Sequence, residues 1–133
     1  MNDVIIVELL KECEFAYAPY SNFQVAAAVV MKDGTRYLGV NIENASYGLT
    51  MCAERVAMYN AISAHACGKE MVALYVVTNQ QQLIYPCGAC LQVMKELLPK
   101  NCEIIIANAK ERKRHTLQEL YPYAFDKEDL HEF

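Results

Sequence analysis

Two short segments hold the residue types that can do metal and acid–base chemistry. Thr50-Met51-Cys52-Ala53-Glu54-Arg55 and Tyr85-Pro86-Cys87-Gly88-Ala89-Cys90 together supply three thiols and one carboxylate, each segment at the start of a helical pattern. Pro86 and Gly88 favour a turn that lets Cys87 and Cys90 converge on one ion, the usual geometry of a C-x₂-C metal site. Helix N-termini suit thiolates, because unpaired N–H groups and the positive end of the helix dipole favour negative charge. Glu54 follows Cys52 by two residues, which on a regular helix turns the two side chains about 200° apart. The economical arrangement therefore puts Cys52 in the cap turn as a zinc ligand. Glu54, one step inside the helix, then reaches a water or substrate beside the metal. Three protein ligands leave a fourth tetrahedral position for water, the mark of a catalytic zinc site. Three thiolates on a dication leave the centre at −1, which works against acidifying a water, and Arg55 is the neighbouring cation able to offset that charge.

The elements that must position these residues follow from hydrophobic spacing. Residues 4 to 17 place Ile6, Leu9, Leu10, Cys13, Ala16 and Tyr17 at helical intervals, predicting an amphipathic helix ended by Pro19. The Val-rich run from Phe23 to Met31, then Asp33-Gly34, then Arg36 to Asn41, predicts an antiparallel hairpin. Helical patterns cover Cys52 to Ala64 and Cys90 to Leu98, the second stopped by Pro99. Met71 to Thr78 and Cys102 to Ala107 read as buried strands, followed by a short strand near Arg112 to Thr116 and a helical turn from Leu117 to Tyr121. Strands alternating with helices of this length predict an α/β fold, a three-layer α-β-α sandwich around a mixed sheet of about five strands. The 133 residues leave room for one domain, residues 1 to 133.

Composition narrows the partners. Twelve Lys and Arg against sixteen Asp and Glu give a formal charge of −4, and no basic run reaches five residues. That balance argues against a nucleic-acid or anionic-membrane surface and favours a small molecule or a second copy of the chain. The longest apolar run, Val25 to Met31, is far short of the roughly 18 residues a membrane span needs. The N-terminus lacks a basic, secretory-type leader, so the expected location is the cytoplasm, where thiols stay reduced. Of the other cysteines, Cys13 and Cys102 lie on apolar faces and Cys67 precedes Gly68 at a helix end, so all three read as structural. His65, His115 and His131 lack ligand spacing with one another and read as surface or cap residues.

Four ordered motifs carry a resemblance. Ala16-Tyr17-Ala18-Pro19-Tyr20-Ser21-Asn22-Phe23, Gly39-Val40-Asn41-Ile42-Glu43-Asn44-Ala45-Ser46-Tyr47, Cys52-Ala53-Glu54-Arg55 and Pro86-Cys87-Gly88-Ala89-Cys90 make the chain resemble the small, homotetrameric cytidine deaminases of nucleoside salvage. The resemblance runs from about residue 6 to the C-terminus. It implies one zinc per chain on Cys52, Cys87 and Cys90, activating a water toward hydroxide for attack on C4 of cytidine or deoxycytidine. Glu54 would take the water proton, deliver it to N3, and then protonate the departing amine, shuttling both protons, help worth roughly 10² to 10⁴ in rate. It further implies that Asn41 and Glu43 bind ribose hydroxyls, that Phe23 stacks near the base, and that the Ala53 backbone contacts the pyrimidine. Phe125 would reach into a neighbouring subunit's site, which makes the expected state an oligomer, a tetramer by resemblance. The chain departs from the family at Leu91, where many relatives carry Arg, and at Ala26 and Tyr123, where Gly is common. Two other readings use the same residues: a deaminase of another aminopyrimidine nucleoside, and a structural zinc module lacking turnover, which would need a fourth ligand from Cys67, Cys102 or His65.

Overall fold

The computed structural model describes residues 2–132, with side chains to residue 130, so the imidazole of His131 lies outside the described part. Helix α1 spans Asp3–Glu12, capped by Asn2, whose side chain accepts from the Val4 amide. Strands β1 (Val25–Met31) and β2 (Arg36–Val40) form the hairpin. Helix α2 (Ala53–Ser63), β3 (Met71–Thr78), α3 (Gly88–Leu97), β4 (Glu103–Ala107), β5 (Arg112–Thr116) and the short α4 (Leu117–Leu120) follow. The sheet order is β2-β1-β3-β4-β5, with β3 and β4 parallel and every other neighbouring pair antiparallel. This is the mixed five-stranded sheet expected from the alternation of apolar runs, with helices on both faces.

Side-chain alternation divides the interior in two. Ala27, Val29, Leu74, Val76, Ile104 and Ile106 face α2 and α3, whereas Ala26, Ala28, Tyr75, Val77, Ile105 and Ala107 face α1. Cys102 joins the first of these cores and Cys13 the second, as the apolar spacing predicted. Fully burying one Ile or Leu contributes about 1.5 to 3 kcal/mol, so both layers weigh on stability. Among the described residues, no helix is long and apolar enough to cross a membrane.

The first helix ends earlier than its spacing predicted. After Glu12 the chain tightens into a 3₁₀ turn over Cys13–Phe15, and Tyr17 is exposed. A competing backbone pairing wins: the Tyr17 amide donates to Asn41 O at 3.0 Å and the Glu43 amide donates to Tyr17 O at 2.8 Å. Ile42 is paired on its other side with Met51 through two bonds of 2.9 Å. Three segments, around residues 17–23, 41–43 and 51–54, are thereby drawn to one end of the sheet.

Two further contacts fix the helices that start there. A Cβ on Gly39 of β2 would lie 2.4 Å from Ala57 N and 2.6 Å from Ala53 O, so only glycine lets α2 pack this closely. On the other side, buried Asn108 uses all its hydrogen-bonding capacity on turns. Its Nδ2 donates to Gln80 O and Gln81 O, each at 3.2 Å, and its Oδ1 accepts from the Lys110 and Glu111 amides. This pins the segment that leads from β3 to α3.

Candidate metal centre and its cavity

Cys52 is the N-cap of α2 and Cys87 the N-cap of α3, both with extended backbone, and Cys90 lies one turn inside α3. The two helices therefore point their unpaired N–H ends toward one cluster of sulfur. The three Sγ atoms all lie within 4.8 Å of one another, and Cys52 Sγ to Cys87 Sγ is 3.9 Å. Zn–S bonds of about 2.3 Å in tetrahedral array place sulfurs roughly 3.8 Å apart, so the donor set fits zinc in both type and spacing. Among the described residues, no His, Asp, Glu or further Cys joins the cluster. Cys67, Cys102 and His65, the candidates for a fourth ligand, are thus not part of it, and a closed structural site lacks its last donor. All six cysteines are free.

Electrostatics around the thiols is uneven. The Cys52 thiol is lowered to about 5, chiefly because it accepts a hydrogen bond from Cys90, with the Arg55 guanidinium adding to the effect. Cys90 moves upward for the reciprocal reason and because it is buried, so without metal the pair retains a proton on Cys90. Arg55 Nη2 stands 3.3 Å from Cys52 Sγ, and its Nε is buried with no hydrogen-bond partner. Leu91 packs against the apolar core, so it brings no charge to this centre.

Beside the thiols is a cavity of about 250 Å³, lined by Phe23, Asn41, Glu43, Cys52, Ala53, Glu54, Tyr85 and Cys87 among others. That size is just below the roughly 300 Å³ at which drug-sized ligand pockets begin, so it suits one small molecule. Glu54 is only 5% exposed, and burial pushes its carboxyl above the usual range, with the Cys52 charge acting in the same direction. Asn41 is buried and braces the entry to β1: Nδ2 donates to Phe23 O at 2.7 Å, and Oδ1 accepts from Val25 N at 2.9 Å. One donor hydrogen and one lone pair of that amide remain for a ligand. Glu43 Oε1 accepts the Tyr20 and Ser21 amides at 3.1 Å, and Oε2 accepts the Ser21 hydroxyl. Those bonds, the Ser21 hydroxyl first, hold the Glu43 carboxyl below its ordinary range.

Seven of the ten residues singled out in the sequence line this cavity. Cys90 is buried beneath it and Arg55 lies behind Cys52, while Phe125 is exposed and outside it. Sequence reasoning missed Ser21 and Tyr85 as cavity residues. Ser21 lies in a quoted motif, so its spacing to Glu43 carried a usable signal; Tyr85 carried only its adjacency to Pro86-Cys87.

Comparison with known proteins agrees with this geometry. Residues 3–107 match the family described as the cytidine and deoxycytidylate deaminase zinc-binding region. A cytidine deaminase of Halalkalibacterium halodurans is 45% identical over 130 residues, covering 97% of each chain. The crystal structure of cytidine deaminase from Burkholderia pseudomallei superposes with a TM-score of 0.86 at 43% identity, over 94% of this chain and 100% of that one. That of Mycobacterium tuberculosis cytidine deaminase gives 0.77 at 32% identity, over 94% and 98%. An α/β sandwich with a three-thiolate zinc site beside a buried glutamate defines a hydrolytic deaminase in class. The chain belongs to the cytidine and deoxycytidylate deaminase family, whose zinc-binding region it carries.

Proposed function

We propose that the protein converts cytidine and deoxycytidine to uridine and deoxyuridine, consuming one water and releasing one ammonia. The observation that carries this reading is that buried Glu54 opens into the same small cavity as Cys52 and Cys87. Cys52, Cys87 and Cys90 would hold the zinc, and zinc when bound supplies Lewis-acid activation of water near neutral pH. Glu54, its carboxyl raised above the usual range chiefly by burial, faces the cavity as the group able to take up and release a proton there. It accepts one proton of the attacking water and passes it to N3 of the ring, then takes the remaining proton of the added hydroxyl as the C4 carbonyl forms and delivers it to the amino group, which leaves as ammonia. Arg55 offsets the negative charge of the thiolates from behind Cys52. Glu43 accepts from ribose hydroxyls, and the Asn41 amide offers them its free donor hydrogen and lone pair. Phe23 packs along the base, and the Ala53 backbone at the first turn of α2 contacts its polar edge.

The whole of residues 1–133 acts as one domain in this reading, two cores on one sheet. Exposed Tyr17, Tyr47, Leu49 and Phe125 support burial against further copies, with a tetramer as the family form. Unpaired thiols and the absence of a long apolar helix among the described residues fit a cytoplasmic setting.

The test is the loss of ultraviolet absorbance of cytidine with purified, zinc-loaded protein. Turnover by the wild type and its loss in Glu54→Ala are expected. A wild type that holds zinc without turnover, or an equally active Glu54→Ala, overturns the reading. Metal analysis of Cys87→Ala tests ligation separately: stoichiometric zinc in that variant removes Cys87 from the site.

A further inference from the structure

One wall of the cavity is held by a side-chain relay from outside it. Tyr85, two residues before Cys87, places its hydroxyl 3.1 Å from His115 Nε2 on β5. The opposite ring nitrogen, Nδ1, stands 3.4 Å from Glu119 Oε2. Glu119 is itself fixed by a capping box: its Oε1 accepts from the Thr116 amide and hydroxyl, and its own amide donates to Thr116 Oγ1.

The chemistry of these groups gives the relay a direction. An ionised carboxylate only accepts, and Glu119 is held below its usual carboxylate range by Thr116 first and by His115 in addition. In a singly protonated imidazole this carboxylate selects the tautomer with the proton on Nδ1, which leaves Nε2 as an acceptor. To that tautomer the Tyr85 hydroxyl donates at Nε2. The two rings meet edge to face, centroids 5.3 Å apart, so packing and hydrogen bond select the same Tyr85 rotamer. Tyr85 is 44% exposed and lines the cavity, so a side-chain anchor bears on where its ring stands. The other end of the same segment is pinned by Asn108, so both anchors come from residues 108–119.

We propose that His115, held by Glu119, is a positioning residue that fixes Tyr85 as a preformed wall of the nucleoside pocket beside Cys87. This rests on the reading of the cavity as a nucleoside site. Preorganisation of an exposed ring removes an ordering cost that would otherwise be met on binding. The ligand class is an uncharged pyrimidine nucleoside, whose flat ring packs against Tyr85.

The experiment is uridine binding to zinc-loaded protein by calorimetry, for wild type, Tyr85→Phe, His115→Ala and the double variant, with the KM for cytidine measured alongside. Loss of one net hydrogen bond predicts a Kd about 3- to 10-fold weaker in each single variant. The double variant is expected to be no weaker than the worse single one, because the two residues act through one bond. Nitrogen-15 NMR of the histidines in the wild type, which needs no variant, is expected to show His115 protonated at Nδ1 and bare at Nε2. Equal uridine affinity in wild type and variants, multiplicative losses in the double variant, or a proton on Nε2 overturns the inference while cytidine turnover stands. A zinc-loaded wild type that binds no uridine overturns the functional reading and this inference with it.

Discussion

Arg55 reaches back along the first turn of α2 to put Nη2 3.3 Å from the Cys52 sulfur, while its Nε is buried without a partner. The arginine is thus committed to the thiolate centre. With an apolar leucine at residue 91, no second cation follows Cys90 to share that task.

Arg55→Gln should weaken zinc binding by about 10- to 100-fold, the usual effect of losing a group that supports a metal ligand. Turnover per bound zinc should fall as well, because the uncompensated thiolates make the metal a poorer acid. Competition with a chromogenic chelator measures the first effect, and cytidine turnover at saturating zinc the second. Unchanged values for both would show that Arg55 has no role at the centre.

Gly39 acts on the same helix through space alone. A methyl group there meets backbone on both Ala53 and Ala57, atoms that cannot swing aside, so α2 must shift in Gly39→Ala. Overpacking of this kind costs about 1 to 3 kcal/mol. Cys52 and Glu54 ride on the shifted turn, so the variant should lose thermal stability and zinc affinity together. A melt and a chelator titration that both match wild type would contradict the close packing.

Thiol reactivity reports the metal. Burial pushes Cys13 up to about 11 and Cys102 up to about 12, so both should stay silent toward a disulfide reagent at neutral pH. In the zinc-loaded protein Cys67, exposed and outside the cluster, should be the fast-reacting thiol. Removing zinc with a chelator should add Cys52 and Cys87, which are less shielded than Cys90. Rapid labelling of Cys52 or Cys87 with zinc in place would count against their ligation.

How much of this could be read in the chain depends on whether the causes are local. Strand β3 falls at the boundaries its apolar, β-branched run predicted, because flanking turns are encoded within a few residues, and the short strand expected near Arg112 to Thr116 is also present. The sulfur cluster was legible for the same reason: Cys52 and the Cys87/Cys90 pair each sit at a helix start, and a turn at Pro86-Cys87-Gly88 brings the pair together. The early end of α1 was not, since it is set by Tyr17 pairing with residues 41 and 43. The bond from Tyr85 to His115 spans 30 positions with no periodic signature. Asn41 shows a mixed case: the motif marks it for a ligand, yet the structure shows its amide also bracing the start of β1.

Ser21 gives a prediction with a pH axis. Its hydroxyl is the main cause of the lowered Glu43 carboxyl, so Ser21→Ala should raise that group toward the ordinary glutamate value of about 4.3. If Glu43 binds a sugar hydroxyl as proposed, its ionised form is the one that accepts from it. In wild type this form persists to lower pH, and in the variant it begins to be lost at higher pH. The KM for cytidine should therefore start to rise at a higher pH in Ser21→Ala as the solution is acidified, with zinc content monitored throughout. Superimposable KM profiles would separate Glu43 from sugar binding.

Phe125 tests the assembly. It is 54% exposed, outside its own chain's cavity, and its carbonyl is held by Gln92 Nε2 at 2.9 Å, which keeps the segment against α3. If the ring completes a neighbour's pocket, Phe125→Ala and Glu54→Ala should complement each other. A Phe125→Ala chain keeps its own Glu54, and a Glu54→Ala neighbour can supply the missing ring, so a mixed oligomer contains intact sites. Turnover of the two variants produced together should exceed the sum of the two measured apart, with light scattering confirming that mixed oligomers form. Mixed oligomers with no gain in turnover would place Phe125 outside every site but that of its own chain.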